Sequence, residues 1–284
     1  MSLNINKKLT IILIAYKSEK IIDIFIKKIP NNIKVIIIEN SNNHLFKKKI
    51  EKKYKNIKVY IKKNEGVSAS INYAVNKIRT EFFIQISPDI KFNYKDISKF
   101  IEMAKKLNNR FSALGPRFLN VNDKSHKQIN ENLKIGSIDS IHGSCMFINK
   151  KRFREIGGFD KNFFLYFEET DYCKRASNIG LKSYQTNEIK VNTEGRSVLI
   201  KDKKENKKLN NILTWHFIWS KYYFKKKNYG ALIASIIFFP IMIRIIFRIF
   251  LYQVTNKKEL VEKYKYRLSG LITSIMGKKS ALRP

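Results

Sequence analysis

Three short apolar runs, at residues 9–15, 35–38 and 82–86, constrain the fold of this chain more than any other feature. Each is rich in β-branched or aromatic residues and is bounded by charged or turn residues. Continuous hydrophobicity over such a length is what a strand covered on both faces requires. Helical spacing fills the intervals: residues 18–29 form one pattern, and Val67, Ile71, Ala74 and Ile78 recur at helical spacing in another that begins near Asn64. The alternation predicts an α/β domain built on a parallel sheet with right-handed crossovers. Such sheets bind ligands beyond the carboxyl ends of their strands. Tyr16, then Glu39 with Asn40, then Ser87 with Asp89 each follow a run, so the pattern points to a nucleotide-sized crevice.

From about residue 92 the pattern is less regular. It predicts a helix over 97–107, a loop-rich stretch over 123–138, a strand over 142–148, a helix that closes at Gly157 and Gly158, and a further helix from Glu168 to Gly180. A chain of 284 residues accommodates one sizeable domain plus an appendage. Cys145 and Cys173 lie far apart without a CxxC spacing, which suggests neither a disulfide framework nor a zinc site and fits a reducing cytosol. Lys7 and Lys8 before an apolar run superficially resemble a signal peptide, but the run is short and no small-residue cleavage site follows, so it reads as the first buried strand.

The charge is extreme: Lys and Arg number 57 against 23 for Asp and Glu, a formal +34. Such a field attracts polyanions and anionic membrane surfaces. A codon bias toward Lys, Ile and Asn in an AT-rich genome accounts for it equally well. The lysines run from Lys7 to Lys279 rather than gathering on one arm, which argues against a dedicated nucleic-acid binder.

Two segments carry chemistry. Residues 84–89, Ile-Gln-Ile-Ser-Pro-Asp, form a strand that stops at a carboxylate, suited to a hard cation beside a diphosphate. Residues 157–160, Gly-Gly-Phe-Asp, precede Phe163, Phe164, Tyr166 and Phe167 and then Glu168, Glu169 and Asp171, three carboxylates within four residues of an acid-poor chain. A carboxylate beside an aromatic wall can accept the proton of an attacking sugar hydroxyl. On a helix Glu168 and Asp171 share a face and Glu169 points elsewhere. A structural alternative has these acids complementing the helix N-terminus, with Asp171 paired to Arg175 one turn on.

Taken in order, residues 10–18, 35–40, 64–72, 87–89, 157–160 and 167–171 resemble the inverting glycosyltransferase family 2, most nearly its bacterial rhamnosyltransferase-like members, over roughly residues 8–200. The resemblance implies a GT-A nucleotide-diphospho-sugar transferase fold. It implies donor binding by Tyr16, Glu39, Asn40, Asn64, Gly66 and Asp89, a divalent cation (Mg²⁺ or Mn²⁺) at Asp89, Glu169 as catalytic base, and Glu168, Asp171 and Arg196 on the acceptor side. The reaction would be a single in-line displacement with inversion, from dTDP-rhamnose as the first donor to consider. Three positions depart from the family pattern: Ser87 stands where Asn or Asp is common, Glu169 where Asp is commoner, and Asn192 where a metal-binding His is frequent. These departures motivate the alternative of a non-catalytic scaffold with the same fold.

The tail, residues 213–284, changes composition. Aromatic residues mixed with lysines over 215–227 suit a membrane interface. In the apolar run 231–252 the insertion gain nearly cancels against Arg244 and Arg248, which cost about 2.5–3.5 kcal/mol apiece at a bilayer centre. With Pro240 inside it, the run predicts a broken or in-plane helix at the inner face of the cytoplasmic membrane. The alternative is a soluble helical pair packed on the domain or on a second copy in a homodimer. His216 reads as an interfacial or core residue. The expected partners are thus a nucleotide-sugar donor, a lipid-linked or nascent glycan acceptor and an anionic membrane surface.

Overall fold

A computed structural model describes residues 5–121, 127–195, 198, 200 and 202–284. The first half of the chain runs α1 (Ile5–Lys8), β1 (Leu9–Ala15), α2 (Glu19–Ile26), β2 (Lys34–Glu39), α3 (His44–Lys53), β3 (Ile57–Ile61), α4 (Val67–Lys77), β4 (Phe82–Ile86), β5 (Ile90–Lys91) and α5 (Ile97–Lys106). Then follow β6 (Leu114–Phe118), β7 (Ile135–Ile138), β8 (Cys145–Asn149), α6 (Lys150–Glu155), α7 (Glu168–Asn178) and β9 (Ser183–Thr193). The sheet order is β3-β2-β1-β4-β8-β6-β9-β5, with β7 also paired to β9.

The alternation of side chains along β1 shows why the first run is apolar at every position but Thr10, whose hydroxyl is paired with that of Thr80 (2.8 Å). Leu9, Ile11, Leu13 and Ala15 face one core with Phe25, Ile50 and Phe100. Ile12 faces the other, with Ile71 and Ala74 of α4 and Tyr172 of α7. Helices therefore cover both sides of the sheet, and both faces of each central strand must be apolar. Strands β1 to β4 are mutually parallel where they pair, but β8 runs antiparallel to β4 and to β6. The sheet is thus mixed rather than purely parallel. Antiparallel β8 brings its amino end, rather than its carboxyl end, to the edge where β1, β2 and β4 finish.

Several elements differ from the sequence reading. α3 and β3 escape the apolar-run criterion because lysines interrupt them: β3 reads Ile-Lys-Val-Tyr-Ile with Lys58 exposed at the sheet edge. β7 lies inside the stretch expected to be loop. Cys145 and Cys173 are free and buried.

The chain divides into two compact units, one of residues 1–160 and 168–199, the other of residues 161–167 and 200–284. The second contains α8 (Lys203–Tyr229), α9 (Ala231–Val254) and α10 (Lys258–Ile275). Its helices begin ten residues before the boundary at 213 read from composition. Ile218 and Tyr222 of α8, Ala234, Phe238 and Ile245 of α9, and Tyr264 and Leu271 of α10 form its core. α9 continues unbroken through Pro240, contrary to the expected break. A proline removes one hydrogen bond from a helix interior, and the packed stripe on its two neighbours outweighs that loss. α9 also presents exposed apolar side chains: Leu232, Ile236, Phe239, Phe247, Phe250 and Val254 are each 60% or more accessible. Mean hydropathy over the best 18-residue window of α9 is 2.2. His216 is fully buried, with its ring nitrogens against the Leu282 carbonyl (2.8 Å) and the Ser280 hydroxyl (3.0 Å); it is a core residue.

Candidate active site

The carboxyl ends of β1 and β2 are knitted together by their own loops. The Asn40 amide donates to the Ala15 carbonyl (2.8 Å), and the Ser41 hydroxyl accepts from the Lys17 amide (2.9 Å) while donating to Glu39 Oε1 (2.5 Å). Glu39 also receives the Ser41 and Asn43 amides, at 2.8 and 2.7 Å. Its carboxylate, 1% exposed, therefore shapes the loop beside Tyr16. Asn40 donates to the Ser70 hydroxyl at the start of α4 (2.9 Å). The turn into α4 carries Asn64, whose Oδ1 accepts from the Gly66 amide (3.3 Å), and Gly66 itself at φ 95°, ψ 175°, a region essentially closed to other residues. Tyr16, Glu39, Asn40, Asn64 and Gly66 thus converge on one end of the sheet.

Asp89 reaches the same end. Residues 87–90 form a turn, with the Ile90 amide on the Ser87 carbonyl (3.1 Å), and Ser87 is tied to β8 through its amide on the Ser144 carbonyl (2.8 Å). Asp89 Oδ2 accepts from the Thr193 hydroxyl (2.8 Å), and the β5–β9 pairing places Asn192 opposite Lys91. By that register Asp89 falls opposite Glu194, whose amide donates to the Asp89 carbonyl (3.1 Å), and Asn192 lies two positions further along β9.

The acidic helix start enters through Gly143. A Cβ at Gly143 would lie 3.5 Å from the carboxyl carbon of Glu169, so that carboxyl rests against the glycine backbone. The Gly143 carbonyl in turn accepts from Gln85 Nε2 of β4 (2.7 Å). A continuous run of contacts thus links Asp89, Ser87, Ser144, Gly143 and Glu169 across some eighty residues of sequence. Burial raises the pKa of Glu169, opposed by its own amide and by Thr170. Glu168, 5% exposed, is pushed well above the carboxylate range by burial and by the neighbouring Glu169 charge.

Asp171, placed on the acceptor side by the family resemblance, is held in the interior. It is fully buried and accepts from Arg175 Nε (2.8 Å), while the other guanidinium nitrogens donate to the carbonyls of Ile156 (2.5 Å) and Gly158 (2.6 Å). The inward face of α7 puts Asp171 where it holds the Gly157–Gly158 turn. Arg196 lies outside the described residues.

Sequence reading missed Gln85, Gly143 and the pair formed by His142 Nδ1 and the Ser144 hydroxyl (2.6 Å). Gln85 does carry a signal, as the one polar residue inside an otherwise apolar strand. Asn40 Oδ1, Ser68 Oγ, Gln85 Oε1 and Glu168 Oε2 are enclosed and have no hydrogen-bond partner. Unpaired buried polar atoms are rare in folded chains, and a cluster of them around a sheet's ligand-binding end suits a polar ligand.

The donor set also says which metal fits. Among the described residues no three His, Cys, Asp or Glu groups gather to hold an ion by themselves. A single carboxylate, that of Asp89, fits a hard cation that completes its shell with substrate phosphates and water.

The family model described as glycosyl transferase family 2 matches residues 10–245. The low-salt glycan biosynthesis hexosyltransferase Agl10 of Haloferax volcanii is 28% identical over 192 residues, covering 59% of this chain and 61% of that relative. The chain thus spans about three fifths of the curated relative's length. The mannosyltransferase PcManGT from Pyrobaculum calidifontis, solved with GDP-Man and Mn²⁺, superposes with TM-score 0.60 at 10% identity over 96% of this chain and 88% of its own. GalNAc-T7, solved with UDP, GalNAc and Mn²⁺, gives TM-score 0.54 at 12% identity over 77% of this chain and 49% of its own. These likenesses establish the GT-A fold.

Proposed function

The chain belongs to glycosyl transferase family 2, and from that membership we propose that it moves a hexosyl group from a nucleotide-sugar to a hydroxyl of a lipid-linked or nascent cell-surface glycan, inverting the anomeric carbon. The observation that carries this reading is the contact of Glu169 with Gly143, which ties a carboxylate to the sheet end bearing Asp89. Tyr16, Glu39 and Asn40 hold the base and ribose beside the turn at Asn64 and Gly66, and Asp89 faces the diphosphate. Glu169 takes the proton from the acceptor hydroxyl as it attacks, and burial strengthens it as a base. Mg²⁺ or Mn²⁺, held by Asp89 and the diphosphate, would offset charge on the leaving group.

The donor to test first is dTDP-rhamnose. The helical tail is read as the membrane-associating part, with the exposed face of α9 toward lipid and the lysines toward anionic headgroups at the inner face of the cytoplasmic membrane. Thermal-shift and hydrolysis assays against UDP-, dTDP- and GDP-sugars, with and without Mg²⁺ or Mn²⁺, test the reading. A ligand at a hundred times its dissociation constant stabilises by about 2.7 kcal/mol, so a metal-dependent rise in Tm for one nucleotide class, with slow donor hydrolysis, is expected. No response from folded protein would favour the scaffold role that Ser87 and Asn192 motivate.

A further inference from the structure

The helical unit contains a cleft of about 690 Å³ bordered by residues of α8, α10 and the segment before α7. Tyr166 and Phe217 line it as an edge-to-face pair with ring centroids 5.6 Å apart, together with Lys207, Lys263, Arg267 and Glu259. Its charged lining is thus three cations to one anion. Lys207 is answered by Glu262 at 2.8 Å and Glu259 at 3.5 Å. Arg267 is different: its Nε is enclosed and has no hydrogen-bond partner. Lys221 lies close enough that Arg267 and then Lys225, after burial itself, lower its pKa. An unpaired, enclosed guanidinium N–H inside a positive cluster is costly unless an anion meets it. The planar fork of arginine matches phosphate oxygens in particular.

Two further features fix the kind of anion. Tyr166 and Phe167 have φ of 68° and 67°, successive left-handed residues that lead directly into Glu168 and Glu169. Strain of this sort collects at ligand clamps. The same unit carries α9, with its exposed apolar face. We propose that this cleft is the acceptor site, holding the phosphate or diphosphate of a lipid-linked glycan against Arg267 and its first sugar against Tyr166 and Phe217. This rests on the glycosyltransferase reading above.

Calorimetric titration of the full chain tests it, with farnesyl diphosphate as the isoprenyl-phosphate probe and phosphatidylglycerol vesicles as the source of an ordinary phospholipid headgroup. Arg267→Met is expected to weaken farnesyl diphosphate binding about tenfold or more, and to leave vesicle binding within twofold of the parent chain. Arg267→Lys, which keeps charge without the fork, should fall between and guards against misfolding as the cause. Asp89→Asn should leave farnesyl diphosphate binding unchanged, which separates this cleft from the donor side. Undiminished binding by folded Arg267→Met, or equal losses toward farnesyl diphosphate and vesicles, would overturn the proposal. Absence of donor hydrolysis by the unmodified chain would instead overturn the enzymatic reading, while the Arg267-dependent binding is read independently.

Discussion

Arg175 shows how much one side chain holds near the carboxylates. Its three guanidinium nitrogens reach Asp171 and the carbonyls of Ile156 and Gly158, so the turn before the acidic segment and the first turn of α7 share a single clamp. Asp171 is 0% exposed, and removal of Arg175 would take away the ion pair that answers this buried carboxylate. Arg175→Ala should therefore cost about 3–5 kcal/mol in urea unfolding. Glu168 makes a prediction with a definite sign. Its folded pKa is raised, so the folded chain retains a proton that the unfolded chain releases, and stability is lost as pH climbs from the ordinary carboxylate range through the raised value. Glu168→Gln should melt higher than the parent at neutral pH and converge with it near pH 4, an outcome that pH-dependent melting curves check. At this scale the i,i+4 pair of Asp171 and Arg175 was readable from spacing alone. The contact of Glu169 with Gly143 was not, because it depends on antiparallel pairing of β8 with β4, which no local pattern specifies.

Elements were recoverable where an apolar signature stands alone. β1 and β4 coincide with their runs, since central strands buried on both faces are apolar but for one hydrogen-bonded polar residue each, Thr10 and Gln85. α3 and β3, at the sheet edge, keep lysines on their open sides and dilute the signal below recognition. In the helical unit the decisive residue is small. A Cβ at Gly270 would meet the Trp215 carbonyl oxygen at 2.6 Å and Ile218 Cγ2 at 2.9 Å, so α10 approaches α8 only because position 270 has no side chain. Gly270→Ala should destabilise this unit by about 1–3 kcal/mol. Both tryptophans of the chain lie on α8, so fluorescence-monitored unfolding reports on it directly.

At the scale of the whole molecule, an α/β unit with a ligand-binding sheet end is joined to a helical unit with an apolar face and a surplus of positive charge. If α9 docks on lipid, replacing exposed Phe239, Phe247 and Phe250 together by Ser should release the chain from anionic vesicles without lowering its helix content. Each ring is 60% or more accessible, so little internal packing is disturbed. Sedimentation with vesicles at low and high salt checks this; retention of the triple variant at both would contradict lipid docking by that face. The central claim is that Glu169 activates an acceptor at the sheet end bearing Asp89. Its most direct test is the transfer rate of Glu169→Gln beside the parent chain, with donor binding measured on both. Loss of about 10²–10⁴-fold in kcat with donor affinity retained is the predicted result, and transfer at the parent rate would contradict it.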